Sequence, residues 1–285
     1  MATTLTPDEI GSLAAEHEHA RRTVVPIDPV TRRHPGMTLD DAYAIQAAWI
    51  DLQTAAGASV RGHKIGLTSR AMQMAMQIDE PDFGTLLDHM FIANGATLTT
   101  ADFLDPKIEV EFAFVLDRAL VSDQLTGSVT GSGMGDVTVD DVYAATSHIV
   151  PALELIDARS HRVHPLDGRP RTVIDTISDN AANAGIVVGD GCVSVADARE
   201  GRLRWAGAIC SRNGVVEETG LGAGVLNDPV VGVVWLANRL GRLGIRLEAG
   251  ETILAGSFTR PVDCRAGDHI EADFGDLGVI TLDFT

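Results

Sequence analysis

Lysine is nearly absent from this chain of 285 residues: of its 22 basic residues only Lys64 and Lys107 are lysine, and the rest are arginine. A guanidinium keeps its proton under all ordinary conditions, whereas an ammonium can shift its pKa and exchange, so cation-based proton transfer falls to two positions. Cysteine is also scarce. Cys192, Cys210 and Cys264 are widely spaced with no C-x-x-C, which excludes a disulfide framework and reads as unpaired core thiols in a reducing compartment. No apolar run approaches the roughly 20 residues that span a bilayer. The stretch Met1 to Glu9 has neither the basic start nor the apolar segment of a secretory signal, so the expected location is the cytoplasm.

Several chemistries lack their anchor. There is no G-x-S-x-G elbow, no H-E-x-x-H and no Walker lysine. Gly131-Ser132-Gly133-Met134-Gly135 has Asp136 where a dinucleotide-binding loop needs its third glycine, so 127–136 reads as a flexible loop. His161 and His164 fit no zinc spacing and read as hydrophilic loop histidines. A net charge of −18 argues against nucleic acid or anionic membrane as partners. It leaves room for an anionic small molecule, because a metal and a few arginines invert the field of one pocket.

What is present begins with helices. Thr6-Pro7-Asp8-Glu9 forms a capping box with proline at the first helical position, and Thr38-Leu39-Asp40-Asp41 opens a second helix running to about Thr54. From Val60 the pattern turns to short β runs between Gly, Pro and Asp: 60–67, 108–116, 152–158, 184–189, 204–212, 252–257, 268–274 and 277–284. Two helices interrupt them, at about 139–148 and at 229–240, the latter behind Asn227 and Asp228. Many short strands suggest a barrel or rolled sheet. The expected fold class is α+β, with a helical N-terminal region over 1–59 and a catalytic β-rich domain over 60–285, a rolled mixed sheet resembling a barrel.

Within the strand Lys107–Val115, period-two alternation sends Ile108, Val110, Phe112 and Phe114 to one face and Glu109 and Glu111 to the other. Side chains two apart on a strand lie roughly 6.6 to 6.8 Å apart along it, so both carboxylates can converge on one divalent ion. Glu154, in Val150-Pro151-Ala152-Leu153-Glu154-Leu155-Ile156, is a third acid in apolar company. Three hard oxygen donors suit Mg²⁺ or Mn²⁺ rather than zinc. The plainer readings are a wet sheet face for Glu109 and Glu111, and an arginine partner such as Arg159 for Glu154. Lys64 sits between Gly62 and Gly66 on its own strand face, which would clear space for a ligand; the alternative is a surface lysine on an edge strand. Lys107 reads as a solvated strand end.

With these residues on the page, the chain resembles the hydratase/decarboxylase family of the fumarylacetoacetate hydrolase superfamily. The resemblance is carried by Gly62–Ser69, Glu80-Pro81-Asp82-Phe83-Gly84, the Glu109-Val110-Glu111 stretch, Asp175–Gly185, Glu218-Thr219-Gly220, Val225-Leu226-Asn227, Trp235–Asn238 and Gly256–Val262, in order from about residue 38 onward. It implies Glu109, Glu111 and Glu154 as ligands of Mg²⁺ or Mn²⁺, Lys64 and Asp82 as catalytic residues, and a pKa for Lys64 lowered towards neutrality by burial and the cation. It further implies a cytoplasmic homo-oligomer that adds water to a 2-oxo-4-alkenoate, of the 2-oxohept-4-ene-1,7-dioate or 2-hydroxypenta-2,4-dienoate type, giving a 4-hydroxy-2-oxo acid in aromatic catabolism. A complex with a downstream aldolase or a paired decarboxylase would fit. Ser257 would hold the substrate carboxylate, and Arg70 or Arg260 a distal one. The segment 122–137 is longer than the resemblance leads one to expect, which bears on the substrate tail. The alternatives are a 4-oxalocrotonate-type decarboxylase with the same ligands, an acylpyruvate hydrolase, for which no His-Glu pair is evident, and a catalytically silent metal-dependent binding or assembly partner.

Overall fold

The computed structural model of the chain describes residues 3–122 and 136–285; most of the 122–137 segment lies outside them. The helix Pro7–Thr23 starts as its capping box predicts, with Glu9 N–H donating to Thr6 Oγ1 and Thr6 N–H to the Glu9 carboxylate. The helix Leu39–Ala55 repeats the arrangement with Thr38 and Asp41. Asp41 is buried and also accepts from the N–H groups of Thr4 and Leu5, so one carboxylate ties the entrances of both helices together. Five such hydrogen bonds to the charged form hold its pKa far below the usual carboxylate range, although burial acts against them. Leu13, Val30, Met37 and Ile45 pack between these helices, while Ala42 and Tyr43 enter the main core. The Gln46 amide donates to Phe83 O and Ile177 O, fastening the second helix to the β structure.

Thirteen strands form two mixed sheets among the described residues. In chain order they are β1 Val60–Gly66, β2 Asp82–Leu87, β3 Phe91–Ile92, β4 Ala96–Leu98, β5 Lys107–Leu116, β6 Thr146–Ile156, β7 Asn183–Val188, β8 Gly207–Arg212, β9 Val215–Leu221, β10 Thr252–Leu254, β11 Val262–Asp263, β12 His269–Asp273 and β13 Val279–Phe284. The larger sheet has the order β2-β1-β10-β5-β6-β7-β3, with β11 also on β5, and curls as a half-barrel; the smaller runs β4-β13-β12-β8-β9. The α+β class with a rolled mixed sheet is therefore observed. Ile108, Val110, Phe112 and Phe114 of β5 join the main core as their alternation requires.

Several elements differ from the sequence expectation. The helix expected at 139–148 ends at Ala145, and Thr146 already begins β6, which runs from six residues before the expected 152. Arg202–Trp205 are helical, so the strand expected from 204 starts at Gly207. Strand β2 was not expected, nor were the helices Arg70–Met76 and Val173–Ser178, capped by Ser69 and by a Thr172–Asp175 capping box. Strand β9 was missed although Asn213 and Gly214, both at positive φ, form the two-residue turn that hairpins favour. Asp228 caps the helix Pro229–Arg242, but Asn227 stands outside at φ 71°. Cys210 and Cys264 are buried free thiols as expected, whereas Cys192 is exposed.

Candidate metal centre and proton-transfer site

The register of the central strands decides what the acids do. β5 and β6 pair antiparallel with Glu109 directly opposite Glu154, and Glu111 follows two residues on. One carboxylate oxygen from each of Glu109, Glu111 and Glu154 lies within 4.8 Å of the others. This face is not wet. Beyond the acids it continues as a dry cluster of Leu86, Ala113, Val150, Ala152, Ile186 and Leu254, and Glu111 and Glu154 are wholly buried, with Glu109 half-buried.

Lys64 reaches the same face by a chain of registers, opposite Leu254 of β10, which stands opposite Ala113 of β5. It is buried on a central strand and its Nζ lies 3.4 Å from Glu154 Oε1. Asp82 opens β2 opposite Gly66 and is buried beside Lys64. Gly66 keeps the space between them open, since a Cβ there would lie 2.2 Å from Asp82 Oδ1 and 3.1 Å from Lys64 Nζ. Gly62 serves another purpose than the expected one. At φ +154° it lets β1 approach β10, where a Cβ would stand 1.9 Å from Thr252 O.

Partners of the acids are few. Glu111 Oε2 accepts from Gly256 N–H at 2.8 Å, and Glu154 Oε1 from the Asn183 amide at 2.9 Å. Among the described residues, Glu111 Oε1, Glu154 Oε2 and Asp82 Oδ1 are buried with no hydrogen-bond partner. Buried acceptors without donors are costly and rare, and here they stand in a group of carboxylates. Burial and the Glu154 carboxylate push Glu109 up to about 8, and burial with Glu154 and Glu109 pushes Glu111 well above the ordinary range. Asp82 is raised because burial outweighs its attraction to Lys64. Hard oxygen donors converging with open valences fit a divalent cation of the Mg²⁺ or Mn²⁺ kind.

The sequence expectation places Lys64 near neutrality with a cation beside it; the carboxylates by themselves act the other way. Burial works to lower its pKa, but Glu154, Asp82, Glu109 and Glu111 outweigh that and hold it above its ordinary value. Arg159 is not the partner of Glu154; its guanidinium binds Asp179 at 2.5 Å. Ser257 is half-buried with its hydroxyl turned to Thr259 O at 2.9 Å and Val110 O at 3.3 Å. Arg70 is exposed at the start of its short helix, and Arg260 is exposed and paired with Glu218 at 2.6 Å. Lys107 stands at a strand end, paired with Asp263 and, at 3.9 Å, Asp105. His164 is no loop-surface histidine: it is buried between Asp28 and Asp167. The contacts of Asn183 and the Gly256 N–H were not foreseen, although both residues lie in stretches that carry the resemblance.

No protein-family model matches the chain. It is 47% identical over 272 residues to the 2-oxo-hept-4-ene-1,7-dioate hydratase of Escherichia coli, covering 95% of this chain and 96% of that protein. Among solved structures it matches 4-oxalocrotonate decarboxylase from Pseudomonas putida G7, complexed with magnesium and adipate, at 31% identity and TM-score 0.87, with both chains covered completely. A fumarylacetoacetate hydrolase family protein of yeast shares the fold at 16% identity and TM-score 0.50, over 78% of this chain and 91% of that one. Likeness along the full length to both a hydratase and a decarboxylase, on this fold, means that the chain belongs to the hydratase/decarboxylase family of the fumarylacetoacetate hydrolase superfamily.

Proposed function

We propose that the protein is a hydro-lyase that adds water to a 2-oxo-4-alkenoate and releases a 4-hydroxy-2-oxo acid, with Glu109, Glu111 and Glu154 holding Mg²⁺ or Mn²⁺. The observation that carries this reading is Lys64, buried 3.4 Å from a carboxylate of a three-acid cage. A cation held there supplies charge stabilisation for the 2-keto oxygen of the substrate as an enolate develops.

The chain's own residues would do the rest. Lys64, buried beside the acids, would move the first proton: as an ammonium it gives one to C5 of the dienol form while the 2-hydroxyl proton returns to the amine, which moves the double bond to C3–C4 in conjugation with the ketone. C4 is then electrophilic. Asp82, beside Lys64 over the gap at Gly66, would take a proton from the attacking water as its oxygen bonds to C4, and then pass that proton to C3 of the enolate so formed. Water has then been added with no proton left over. Asp82→Asn should lower turnover more than binding. For a dioate substrate Arg70 is the favoured cation for the distal carboxylate, since it makes no ion pair among the described residues while Arg260 is held by Glu218. The 47% identity to a hydratase, against 31% to the decarboxylase structure, favours hydration.

The test is incubation with Mg²⁺ and freshly generated 2-hydroxypenta-2,4-dienoate or 2-oxohept-4-ene-1,7-dioate, following dienol absorbance and product mass. A gain of one water, dependent on Mg²⁺ and lost in Lys64→Ala, is expected. Release of CO₂ from 4-oxalocrotonate without any water gain would make the protein a decarboxylase. Mg²⁺ binding with neither reaction would make it a silent binder.

A further inference from the structure

Glu154 uses its two oxygens unequally. Oε1 receives the Asn183 amide at 2.9 Å and faces Lys64 at 3.4 Å, while Oε2 is buried and has no hydrogen-bond partner among the described residues. A carboxylate beside an ammonium only accepts, so the group that Asn183 turns towards it must be its NH₂. Asn183 is itself 1% exposed and opens β7, at the pairing irregularity between Leu155 and Ile156 of β6. Its approach is set by the residues just before it. Asn180, Ala181 and Ala182 stand in succession at φ 49°, 49° and 64°, left-handed conformations that alanine rarely takes even singly.

Contacts from distant parts of the chain impose that turn. Asp179, wholly buried, accepts from Arg159 N–H and Nε and from Arg171 Nη1, and its carbonyl accepts from Arg159 Nη2. Asn180 pairs through both ends of its amide with the backbone of Thr85 on β2. It lies so close to β2 that a Cβ on Gly84, the residue opposite Lys64, would come within 2.6 Å of Asn180 O. The Ala182 carbonyl accepts from Asp157 N–H. Strained backbone persists only where surroundings over-determine it, and it concentrates where geometry serves function.

We propose that Asn183 is a positioning residue for Glu154: by occupying Oε1 it leaves Oε2 as the oxygen presented to the cation, and the left-handed turn 180–182 exists to set the Asn183 amide in that place. The proposal rests on the reading of Glu109, Glu111 and Glu154 as a cation site. Partners one step behind a ligand orient it, and their loss typically lowers metal affinity about 10- to 100-fold. A side chain that only fills space would change stability and leave the affinity alone.

The experiment is titration of Mn²⁺, read by the paramagnetic resonance signal of the free ion, and of Mg²⁺, read by calorimetry, into the wild-type protein, Asn183→Leu and Asn183→Asp. Folding of each is checked by circular dichroism. Leucine removes the donor, and aspartate keeps the shape but sets an acceptor against an acceptor. Both variants should bind about 10- to 100-fold more weakly, and the turnover lost should return as Mg²⁺ is raised. Affinity within twofold of wild type in a folded variant would overturn the proposal, even if the melting temperature fell. If neither of these two folds, Asn183→Ser decides by the same criterion. Failure of the wild-type protein to bind either ion would remove the cage reading itself, an outcome distinct from unchanged affinity in the variants.

Discussion

Two clusters of buried charge flank Asn183, and they are built on opposite plans. On one side Asp179 is a single acid between two guanidiniums, Arg159 at 2.5 Å and Arg171 at 3.0 Å, with both carboxylate oxygens engaged and Arg159 lying over the Trp49 ring. On the other side Asp82, Glu109, Glu111 and Glu154 surround the ammonium of Lys64, and among the described residues three of their buried oxygens have no hydrogen-bond partner. The first cluster is closed: both oxygens of its acid are filled by donors, and its surplus charge, two guanidiniums against one carboxylate, is positive. The second has surplus negative charge and open valences, and Asp82, Glu109 and Glu111 hold protons more tightly than usual. Burial is common to both, so it does not distinguish a structural cluster from a functional one. Completeness of pairing does.

The largest expected effect follows from breaking the closed cluster. Asp179→Ala leaves two buried guanidiniums uncompensated and should cost about 3–5 kcal/mol in urea denaturation. Glu111→Gln should move the other way in metal-free protein, raising stability at neutral pH, because the amide resembles the protonated form that the cage already favours. The same variant should lose the rise in melting temperature on adding Mg²⁺. A destabilisation of Glu111→Gln comparable to that of Asp179→Ala would break the contrast.

The next effect is on pH. Glu109 rises to about 8 in the folded protein, from an ordinary value of 4.5. Between these values the folded state binds more protons than the unfolded one, so stability falls as pH rises. Metal-free protein should therefore become less stable from about pH 5 to pH 8, where many proteins are at their best. Saturating Mg²⁺ should flatten the slope by taking the place of those protons, and metal affinity should increase over the same window. Melting temperatures across that range with and without Mg²⁺ measure both, and parallel profiles would mean that the cage is not where the ion binds.

What was legible in the sequence was local. The alternation around Glu109 and Glu111 and the capping boxes at Thr6 and Thr38 can each be read within a window of a few residues, and the rarity of lysine by a simple count. What was not legible depended on partners far along the chain. Whether the Glu109 face is wet or dry is decided by β6 and β10, and the pairing of Glu109 with Glu154 is a matter of register. Arg159 is five residues from Glu154 in sequence yet belongs to Asp179, 20 residues on. Strand β2 follows Pro81 and contains Gly84, both poor strand signals, and is held in place between β1 and the turn at Asn180. Lys64 itself could be found from composition, but its charge state follows from four acids on three strands.

The smallest effect sharpens the contrast between the strained turn and ordinary helix. Ala182 at φ 64° and Ala14 in the helix Pro7–Thr23 are both buried alanines. Glycine in place of Ala14 should cost roughly 1 kcal/mol, from lost helix propensity. Glycine in place of Ala182 frees the unfolded chain by a similar amount but relieves a left-handed alanine that costs roughly 1–2 kcal/mol. The net change should be within about 1 kcal/mol of zero, on the stabilising side if the strain is fully relieved. Mn²⁺ affinity should be unchanged in Ala182→Gly, because the contacts of Asp179, of Asn180 and of the Ala182 carbonyl with the Asp157 N–H still hold the turn that leads into Asn183. Equal losses at the two positions would mean that the turn stores no strain, and its conformation would then need no functional account.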